Sequence, residues 1–224
     1  MSRRELCRTI EDVGLVPVVR APSASLAFRA VEAVLAGGVS IFEITMTVPD
    51  AIKVIQSLVA KFKDRALVGA GTVLSAEDAR ACIDAGAQFI VSPGLDVATV
   101  EAAHERDVPA IPGALTPTEV ITAWKAGADM VKIFPCSSVG GAKYLRALRG
   151  PLPQVKMLPT GGVSLATVGE YISAGAAALG VGTELVDMAA LEAGQDAALS
   201  TRARELSQAL KAARSKTGQT RPKS

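Results

Sequence analysis

Aromatic residues make up only 4% of this 224-residue sequence, which contains one Trp and one His. That scarcity argues against a surface that stacks nucleic-acid bases and against a metal centre built from several histidines. The three cysteines, Cys7, Cys82 and Cys136, are odd in number and form no CxxC pair. The sequence therefore indicates neither a disulfide framework nor a zinc site.

The sequence also lacks a large excess of charge of one sign, and it lacks long apolar runs. Lys and Arg number 24 against 22 Asp and Glu, a net charge of +2 that is too small to suggest a nucleic-acid partner. No run approaches the roughly 18 apolar residues of a membrane span, and residues 1–12 mix both charges, unlike a signal peptide. Because 49% of residues are hydrophobic, we expect a sizeable core in a soluble, cytoplasmic protein without nucleic-acid or membrane partners.

Eight short runs rich in β-branched residues alternate with longer stretches whose apolar residues recur at helical spacing. The candidate strands are residues 15–21, 39–45, 66–70, 88–91, 109–111, 130–134, 155–158 and 177–181. This alternation predicts a parallel sheet with right-handed crossovers. Eight units favour a single-domain α/β protein, a (β/α)8 TIM barrel, over a doubly wound sheet. We expect residues 1–213 to form this barrel with an extra N-terminal helix across its bottom, and residues 214–224 to form a flexible polar tail.

Strand alternation directs one lysine and one glutamate into the predicted barrel, whose active sites lie at the carboxyl ends of the strands. In the sixth candidate strand, Lys132 shares the inward face with Met130; in the second, Glu43 shares it with Ile41. A buried charge is costly unless it is paired or functional. Two interpretations follow: a structural ion pair, or a Schiff-base lysine beside a carboxylate that transfers protons.

The second interpretation has a direct chemical basis. Removal from water favours the neutral amine of a lysine over its ammonium form, and only the amine attacks a ketone. A carboxylate beside that nitrogen can act as general acid and base, typically worth about 10²–10⁴ in rate. Lys132 and Glu43 are therefore the candidate catalytic residues.

Glycines follow the last two candidate strands. Gly161 and Gly162 precede a stretch predicted to be helical from Ser164, and Gly182 and Thr183 follow the eighth strand. TIM barrels bind phosphate in these two loops, against backbone N–H groups at a helix N-terminus. Each segment alone is a weak signal, because glycines end many strands, but the two together predict a phosphate site.

Other polar residues are expected at the same mouth. Arg20 ends the first candidate strand, where its guanidinium would suit a carboxylate or a phosphate; a solvated arginine at the rim is the alternative. Thr72 and Pro93 lie in the loops after the third and fourth strands. Those loops could present backbone N–H groups to a carboxylate or a carbonyl, or could be ordinary tight turns.

Taken together, these residues resemble the 2-keto-3-deoxy-6-phosphogluconate (KDPG) aldolase family, also called 4-hydroxy-2-oxoglutarate (KHG) aldolases. The likeness covers residues from about 10 to 211, in the family's order. The matching stretches are GGVSIFEITMTVPDA (37–51), VGAGTVL (68–74), FIVSPGLD (89–96), IPGALTPTE (111–119), VKIFPCSSVGG (131–141) and LPTGGVS (158–164). The resemblance implies a lyase, a class I aldolase that needs no metal or other cofactor, assembled as a homotrimer. Its implied reaction cleaves KDPG to pyruvate and glyceraldehyde 3-phosphate.

Carried over by position, the resemblance implies that Lys132 is the Schiff-base lysine and Glu43 the catalytic carboxylate. It also implies that Thr72 and Thr160 hold the pyruvyl part of a small-molecule substrate, and that Gly161, Gly162 and Thr183 hold its phosphate. Our assignment for the pyruvyl and carboxylate end is Arg20, Thr47, Thr72, Pro93 and Thr160, and for the phosphate end Gly161, Gly162, Gly182 and Thr183.

One position departs from the family pattern. Many members carry Arg two residues after the Thr of the Glu-x-Thr motif, where it clamps the substrate carboxylate, but Thr47 stands there in this sequence. We hypothesise that Arg20 supplies the positive charge instead. The substrate therefore stays open among KDPG, 4-hydroxy-2-oxoglutarate and the 6-phosphogalactonate epimer. A non-catalytic barrel that binds sugar phosphates, or serves as an assembly subunit, is the remaining alternative.

Overall fold

β-Strands alternate with α-helices along residues 1–218, the part of the chain described by this computed structural model. The strands are β1 (Leu15–Val19), β2 (Ile41–Thr45), β3 (Leu67–Gly71), β4 (Ile90–Val91), β5 (Ala110–Ile111), β6 (Gly113–Ala114), β7 (Val131–Ile133), β8 (Met157–Pro159) and β9 (Leu179–Val181). The helices are α1 (Arg3–Val13), α2 (Ala24–Ala36), α3 (Ala51–Phe62), α4 (Ala76–Asp84), α5 (Val97–His104), α6 (Pro117–Lys125), α7 (Gly141–Arg149), α8 (Val168–Ser173), α9 (Met188–Glu192) and α10 (Asp196–Thr217). Short 3-10 helices span Lys63–Arg65 and Cys136–Val139.

Every predicted strand overlaps an observed one, and the fifth is longer than predicted. It continues past Pro112 as β6. Because proline has no N–H to donate to the ladder, Pro112 divides the strand into β5 and β6. The Pro112 carbonyl still accepts a hydrogen bond from the Lys132 N–H at 2.9 Å. Pairing with β7 is therefore maintained across the break between β5 and β6.

The strands pair in parallel, as the alternation predicted. One sheet has the order β5-β4-β3-β2-β1-β9 and the other the order β6-β7-β8. The two sheets meet at Pro112 and again where β8 lies beside β9. There Thr160 forms a parallel bridge with Gly180, and the Ala177 N–H donates to the Met157 carbonyl at 2.9 Å. The result is a curled parallel sheet with its helices on the outside.

The two faces of the strands belong to separate apolar clusters. Phe42 and Val131 pack in the cluster between the sheet and the helices, whereas Ile41 and Met130 belong to a second cluster on the inner face. The alternation predicted for β2 and β7 is thereby confirmed. Because side chains alternate along a strand, Glu43 and Lys132 follow Ile41 and Met130 on the inner face.

Helix α1 packs against the inner cluster at the amino-terminal end of the strands. Its Leu6 and Ile10 are buried in that cluster. Ser2 caps the helix by accepting from the Glu5 N–H, while the Glu5 side chain accepts from the Ser2 N–H. Arg3 adds an ion pair with Asp129 at 3.5 Å. The carboxyl-terminal end of the strands is left uncovered by α1, and the candidate site lies there.

Helix α10 continues through Thr217, so residues 214–217 belong to a helix rather than to the polar tail expected from residue 214. The Arg214 guanidinium donates to the Glu11 and Ala177 carbonyls at 2.6 and 3.2 Å, which ties the end of α10 to the last turn of α1 and to the segment before β9. Residues 219–224 of that expected tail lie outside the described residues. Within residues 1–218, none of the helices could span a membrane.

Candidate active site

Lys132 and Glu43 meet inside the curled sheet. Lys132 is the middle residue of β7 and Glu43 the middle residue of β2. The Lys132 Nζ donates to the Glu43 Oε1 at 3.3 Å, with only 6% and 1% of the two side chains exposed. The same Nζ lies 5.2 Å from the centre of the Phe134 ring. An amine and a carboxylate are thus held together away from bulk water.

A glycine makes room for the Glu43 carboxylate. Gly71, at the end of β3, pairs with Thr45 on β2. A Cβ atom built on Gly71 would lie 2.1 Å from the Glu43 Oε1 and 2.6 Å from its Cδ. Because those distances are far below van der Waals contact, only a residue without a side chain leaves the carboxylate in its present position.

Two buried side-chain oxygens at the candidate site have no hydrogen-bonding partner among the described residues. In residues 1–218, the buried side-chain polar atoms without a partner are Glu43 Oε2 and Thr160 Oγ1. Thr160 directly follows β8 and lies against Gly180 of β9, where a Cβ would be 2.0 Å from its Oγ1. Leaving a buried polar atom unpaired costs about 1–3 kcal/mol. Both atoms belong to residues that the sequence assigned to the site, so a substrate could satisfy them.

The glycine pair after β8 adopts a backbone that other residues rarely take. The φ angles of Gly161 and Gly162 are 98° and 74°. The predicted helix does not begin at Ser164, because residues 164–167 form a turn and α8 starts at Val168. In this turn the Ser164 N–H donates to the Thr167 Oγ1 at 2.9 Å.

Arg20 lies with residues of the phosphate loop. A cavity of about 400 Å³ is lined by Arg20, Gly182 and Thr183, together with Val18 and α9. This neighbourhood follows from the pairing of β1 with β9, which sets Pro17 beside Val181. Arg20 is exposed.

The remaining assigned residues lie around the same mouth in different environments. Thr72 is half-buried and has a φ of 57°, an uncommon backbone for a β-branched residue and typical of functional sites. Thr47 is exposed, and its Oγ1 lies 2.7 Å from the Oγ1 of Thr45, which donates to the Val19 carbonyl. Pro93 lines a cavity of about 360 Å³ together with Phe134.

Comparison with known families gives one assignment for most of the chain. A family model described as KDPG and KHG aldolase matches residues 6–201. The chain belongs to the KDPG/KHG aldolase family. Aldolases of this family are lyases that act on small molecules. The family assignment applies to nearly all of the described chain, including every residue assigned to the site.

Curated relatives in the KDPG/KHG aldolase family differ in the substrates that they are named for. The chain is 38% identical to an Escherichia coli K12 KHG/KDPG aldolase over 191 residues, which is 85% of this chain and 89% of the relative. It is 36% identical over 172 residues to the E. coli K12 2-dehydro-3-deoxy-6-phosphogalactonate aldolase, covering 76% and 83% of the two chains.

A solved KDPG aldolase has the same fold as this chain. The structure is that of the Legionella pneumophila enzyme, with pyruvate captured at low pH as a covalent carbinolamine intermediate. It has a TM-score of 0.83 and 30% sequence identity, and the match covers 90% of this chain and 97% of that one. A TIM-like α/β fold with a curled parallel sheet is therefore shared with the family.

Two aromatic residues beside the candidate site were not assigned to it from the sequence. Phe134 has the inward direction of Lys132, but a Phe on an inner face is ordinarily a packing residue. Tyr171 lies in α8 and donates from its Oη to the Gly161 carbonyl at 3.0 Å. No local motif could indicate that contact, because it depends on how α8 packs over the loop.

The cysteine in the loop after β7 is not a second nucleophile. Cys136 is fully buried, and its Sγ contacts the Gly141 carbonyl at 3.6 Å. Burial raises the pKa of the Cys136 thiol above its usual value, so the thiolate that would attack a substrate is disfavoured.

No group of three or more His, Cys, Asp or Glu side chains in residues 1–218 is placed to hold a metal ion.

Proposed function

We propose that this chain is a class I aldolase that cleaves KDPG to pyruvate and glyceraldehyde 3-phosphate through a Schiff base on Lys132. The observation that carries the proposal is the buried pair of Lys132 Nζ and Glu43 Oε1, 3.3 Å apart, in a member of the KDPG/KHG aldolase family. The unpartnered oxygens of Glu43 and Thr160 support it, because a bound substrate would give each a hydrogen-bonding partner.

Each bond change in this reaction has a group to carry it. Lys132 passes a proton to Glu43 and its amine adds to the C2 ketone; Glu43 then gives that proton to the C2 hydroxyl, which leaves as water, and an iminium ion forms. Glu43 takes the proton of the C4 hydroxyl, the C3–C4 bond breaks, and its electrons move into the iminium to form an enamine. Glyceraldehyde 3-phosphate departs. Glu43 then returns a proton to C3, and hydrolysis of the imine releases pyruvate and the free lysine.

Metal independence is part of the proposal. In a metal-dependent aldolase a divalent ion withdraws electrons from the carbonyl. Here the iminium nitrogen on Lys132 would do so, since a positively charged nitrogen conjugated to C3 accepts the electrons of the breaking bond. Retention of full turnover after exhaustive chelation is the expected result, and loss of turnover that added metal restores would contradict it.

The substrate would lie across the mouth with its two ends on different strands. We assign the pyruvyl end to Thr72 and Thr160, with Thr47 and Pro93 at the edge of that region. The phosphate end is assigned to Gly161, Gly162, Gly182 and Thr183. For Arg20, the cavity shared with Thr183 favours the substrate phosphate over the carboxylate.

A second candidate keeps the chemistry and changes the oxo-acid. Relatives of similar identity are named for KDPG, KHG and 6-phosphogalactonate substrates, and Thr47 occupies the position where many members carry the carboxylate-binding Arg. Side-by-side kcat/KM values for KDPG, its galactonate epimer and 4-hydroxy-2-oxoglutarate would decide between them. A kcat/KM highest for either alternative would replace KDPG as the assigned substrate.

Reduction with borohydride in the presence of pyruvate tests the Schiff base directly. Borohydride converts an imine to a stable secondary amine, so mass spectrometry of the intact chain should show one pyruvate-derived addition. Peptide mapping should place that addition on Lys132. A Lys132→Met variant should lose it, whereas Lys156→Met should keep it, because Lys156 is a surface residue paired with Glu11. No adduct, or an adduct elsewhere, would support a non-catalytic sugar-phosphate barrel.

The closed barrel and the homotrimer belong to the same proposal. If β5 and β6 are taken as one strand, the strand pairings follow one another around eight positions, and this supports a closed (β/α)8 barrel. The trimer is implied by the family resemblance. Light scattering after size-exclusion chromatography should give three times the mass of one chain, and a monomer would contradict it.

A further inference from the structure

Tyr171 joins helix α8 to the glycine loop at the proposed phosphate end. Its side chain is nearly inaccessible, with 2% exposed, and its Oη donates to the Gly161 carbonyl at 3.0 Å. A Cβ built on Gly162 would lie 3.4 Å from the same Oη. The phenol therefore hydrogen-bonds to Gly161 and lies close to Gly162.

The second glycine is held in a similar way. The Thr167 Oγ1 donates to the Gly162 carbonyl at 2.7 Å. Ser137, in the loop after β7, packs on the other side, where a Cβ on Gly162 would lie 2.6 Å from the Ser137 Cβ. Both carbonyls of the glycine pair are thus anchored by side-chain hydroxyls. Within residues 1–218 the Gly162 N–H has no protein acceptor.

This arrangement bears on how a phosphate would be bound. Phosphate oxygens are acceptors, so a loop binds them with its N–H groups, and the carbonyls of the same peptides must point elsewhere. Gly161 and Gly162, with φ angles of 98° and 74°, are free of a Cβ but can also take many other conformations. The hydrogen bonds from the Tyr171 and Thr167 hydroxyls to the two carbonyls select one of these conformations.

We infer that Tyr171 is a positioning residue that orients the peptide between Gly161 and Gly162, and with it the Gly162 N–H, toward the phosphate of the substrate. The inference rests on the proposed function and deepens it, because it assigns discrimination for the phosphorylated substrate to a residue that contacts no substrate atom. Burial raises the pKa of the Tyr171 phenol. The hydroxyl therefore stays protonated, and able to donate to the carbonyl, throughout the neutral range.

Tyr171→Phe is the test, because it keeps the ring and removes only the hydroxyl. Because the loss of one hydrogen bond weakens binding by about this much, we expect KM for KDPG to rise roughly three- to tenfold. We expect kcat to change less than twofold. KM for 2-keto-3-deoxygluconate, the same sugar acid without phosphate, should stay unchanged, and so should borohydride trapping of pyruvate on Lys132. Inorganic phosphate should inhibit the variant more weakly by the same factor.

Two further variants separate positioning from general damage. Tyr144→Phe also removes a tyrosine hydroxyl that donates to a backbone carbonyl, that of Leu115, and should leave the preference for the phosphorylated substrate unchanged. Thr167→Val removes the second anchor and should raise KM for KDPG in the same direction as Tyr171→Phe. Agreement of both results with these expectations supports the inference.

The outcomes distinguish this inference from the proposed function. If wild type traps no pyruvate and cleaves neither sugar acid, the proposed function fails and the inference falls with it. If wild type cleaves KDPG while Tyr171→Phe leaves its KM unchanged, or raises KM equally for both sugar acids, the inference alone is wrong. An equal rise would mean that the hydroxyl supports the whole site and not the phosphate end.

Discussion

Adding one methyl group at Gly71 should displace the proposed proton-transfer carboxylate. A Cβ at this position would lie 2.1 Å from the Glu43 Oε1, while ordinary contact begins at 3.4 Å. The carboxylate would therefore have to retreat by about 1.3 Å to restore contact distances. The Glu43 Oε1 accepts a hydrogen bond from the Lys132 Nζ at 3.3 Å, so the movement changes the proposed reacting pair.

The expected cost follows from the sensitivity of catalysis to position. A misplacement of about 1 Å can lower a rate by about 10²-fold, so Gly71→Ala should reduce kcat/KM for KDPG by roughly that factor, or about 2.7 kcal/mol. Pyruvate release, followed by coupled reduction to lactate, measures this directly. Trapping of pyruvate on Lys132 should fall less than turnover, because imine formation uses the lysine nitrogen first.

Gly169→Ala is the matched control. Gly169 lies in α8, and a Cβ there meets nothing within 4 Å, so kcat/KM should stay at the wild-type value. Thermal unfolding of both variants shows whether a loss reflects the site or the fold. The reasoning is refuted if Gly71→Ala folds normally and keeps more than half of the wild-type kcat/KM, since Glu43 would then have no need of its present position.

Three other perturbations have defined outcomes. Glu43→Gln should lose turnover by about 10²–10⁴-fold yet still form the pyruvate imine slowly; equal loss of both would show that Glu43 only positions the lysine. Arg20→Ala should raise KM for KDPG more than KM for its unphosphorylated analogue, because Arg20 shares a cavity with Thr183, and an unchanged KM for KDPG would contradict its role. Burial raises the pKa of the Cys7 thiol from 9.0 to about 12. As pH rises through that window, the unfolded chain gives up a proton that the folded chain keeps, so the free energy of unfolding should fall. Urea unfolding on either side of pH 9.0 should show that the free energy of unfolding depends less steeply on pH in Cys7→Ala than in wild type. An equal pH dependence in both proteins would exclude this contribution.

The order of elements was accessible from the sequence because it depends on local pattern. Eight alternations of strand and helix predicted the parallel sheet, and period-two alternation predicted which side chains of β2 and β7 face inward. The same period placed Lys132 and Glu43 in one interior, although 89 residues separate them in the chain. Glycines after the last two strands marked the proposed phosphate end.

Where the expected element boundaries were wrong, a hydrogen bond between a side chain and the backbone accompanies the observed boundary. Polar composition suggested a tail from residue 214, but Arg214 hydrogen-bonds to backbone carbonyls of the α1–β1 region and extends α10. Ser164 has the composition of a helix cap, but the Thr167 hydroxyl closes a turn there and delays α8.

The sequence by itself determined the fold class, the interior position of the lysine and the glutamate, and the family. Those features follow from side-chain periodicity and from motifs within single segments. Only the tertiary structure decided which oxygens lack partners, how Gly71 clears the Glu43 carboxylate, that Arg20 lies beside Thr183, and that Tyr171 anchors Gly161. Each of these depends on how separate elements shift and pack against one another, and no local periodicity encodes that shift.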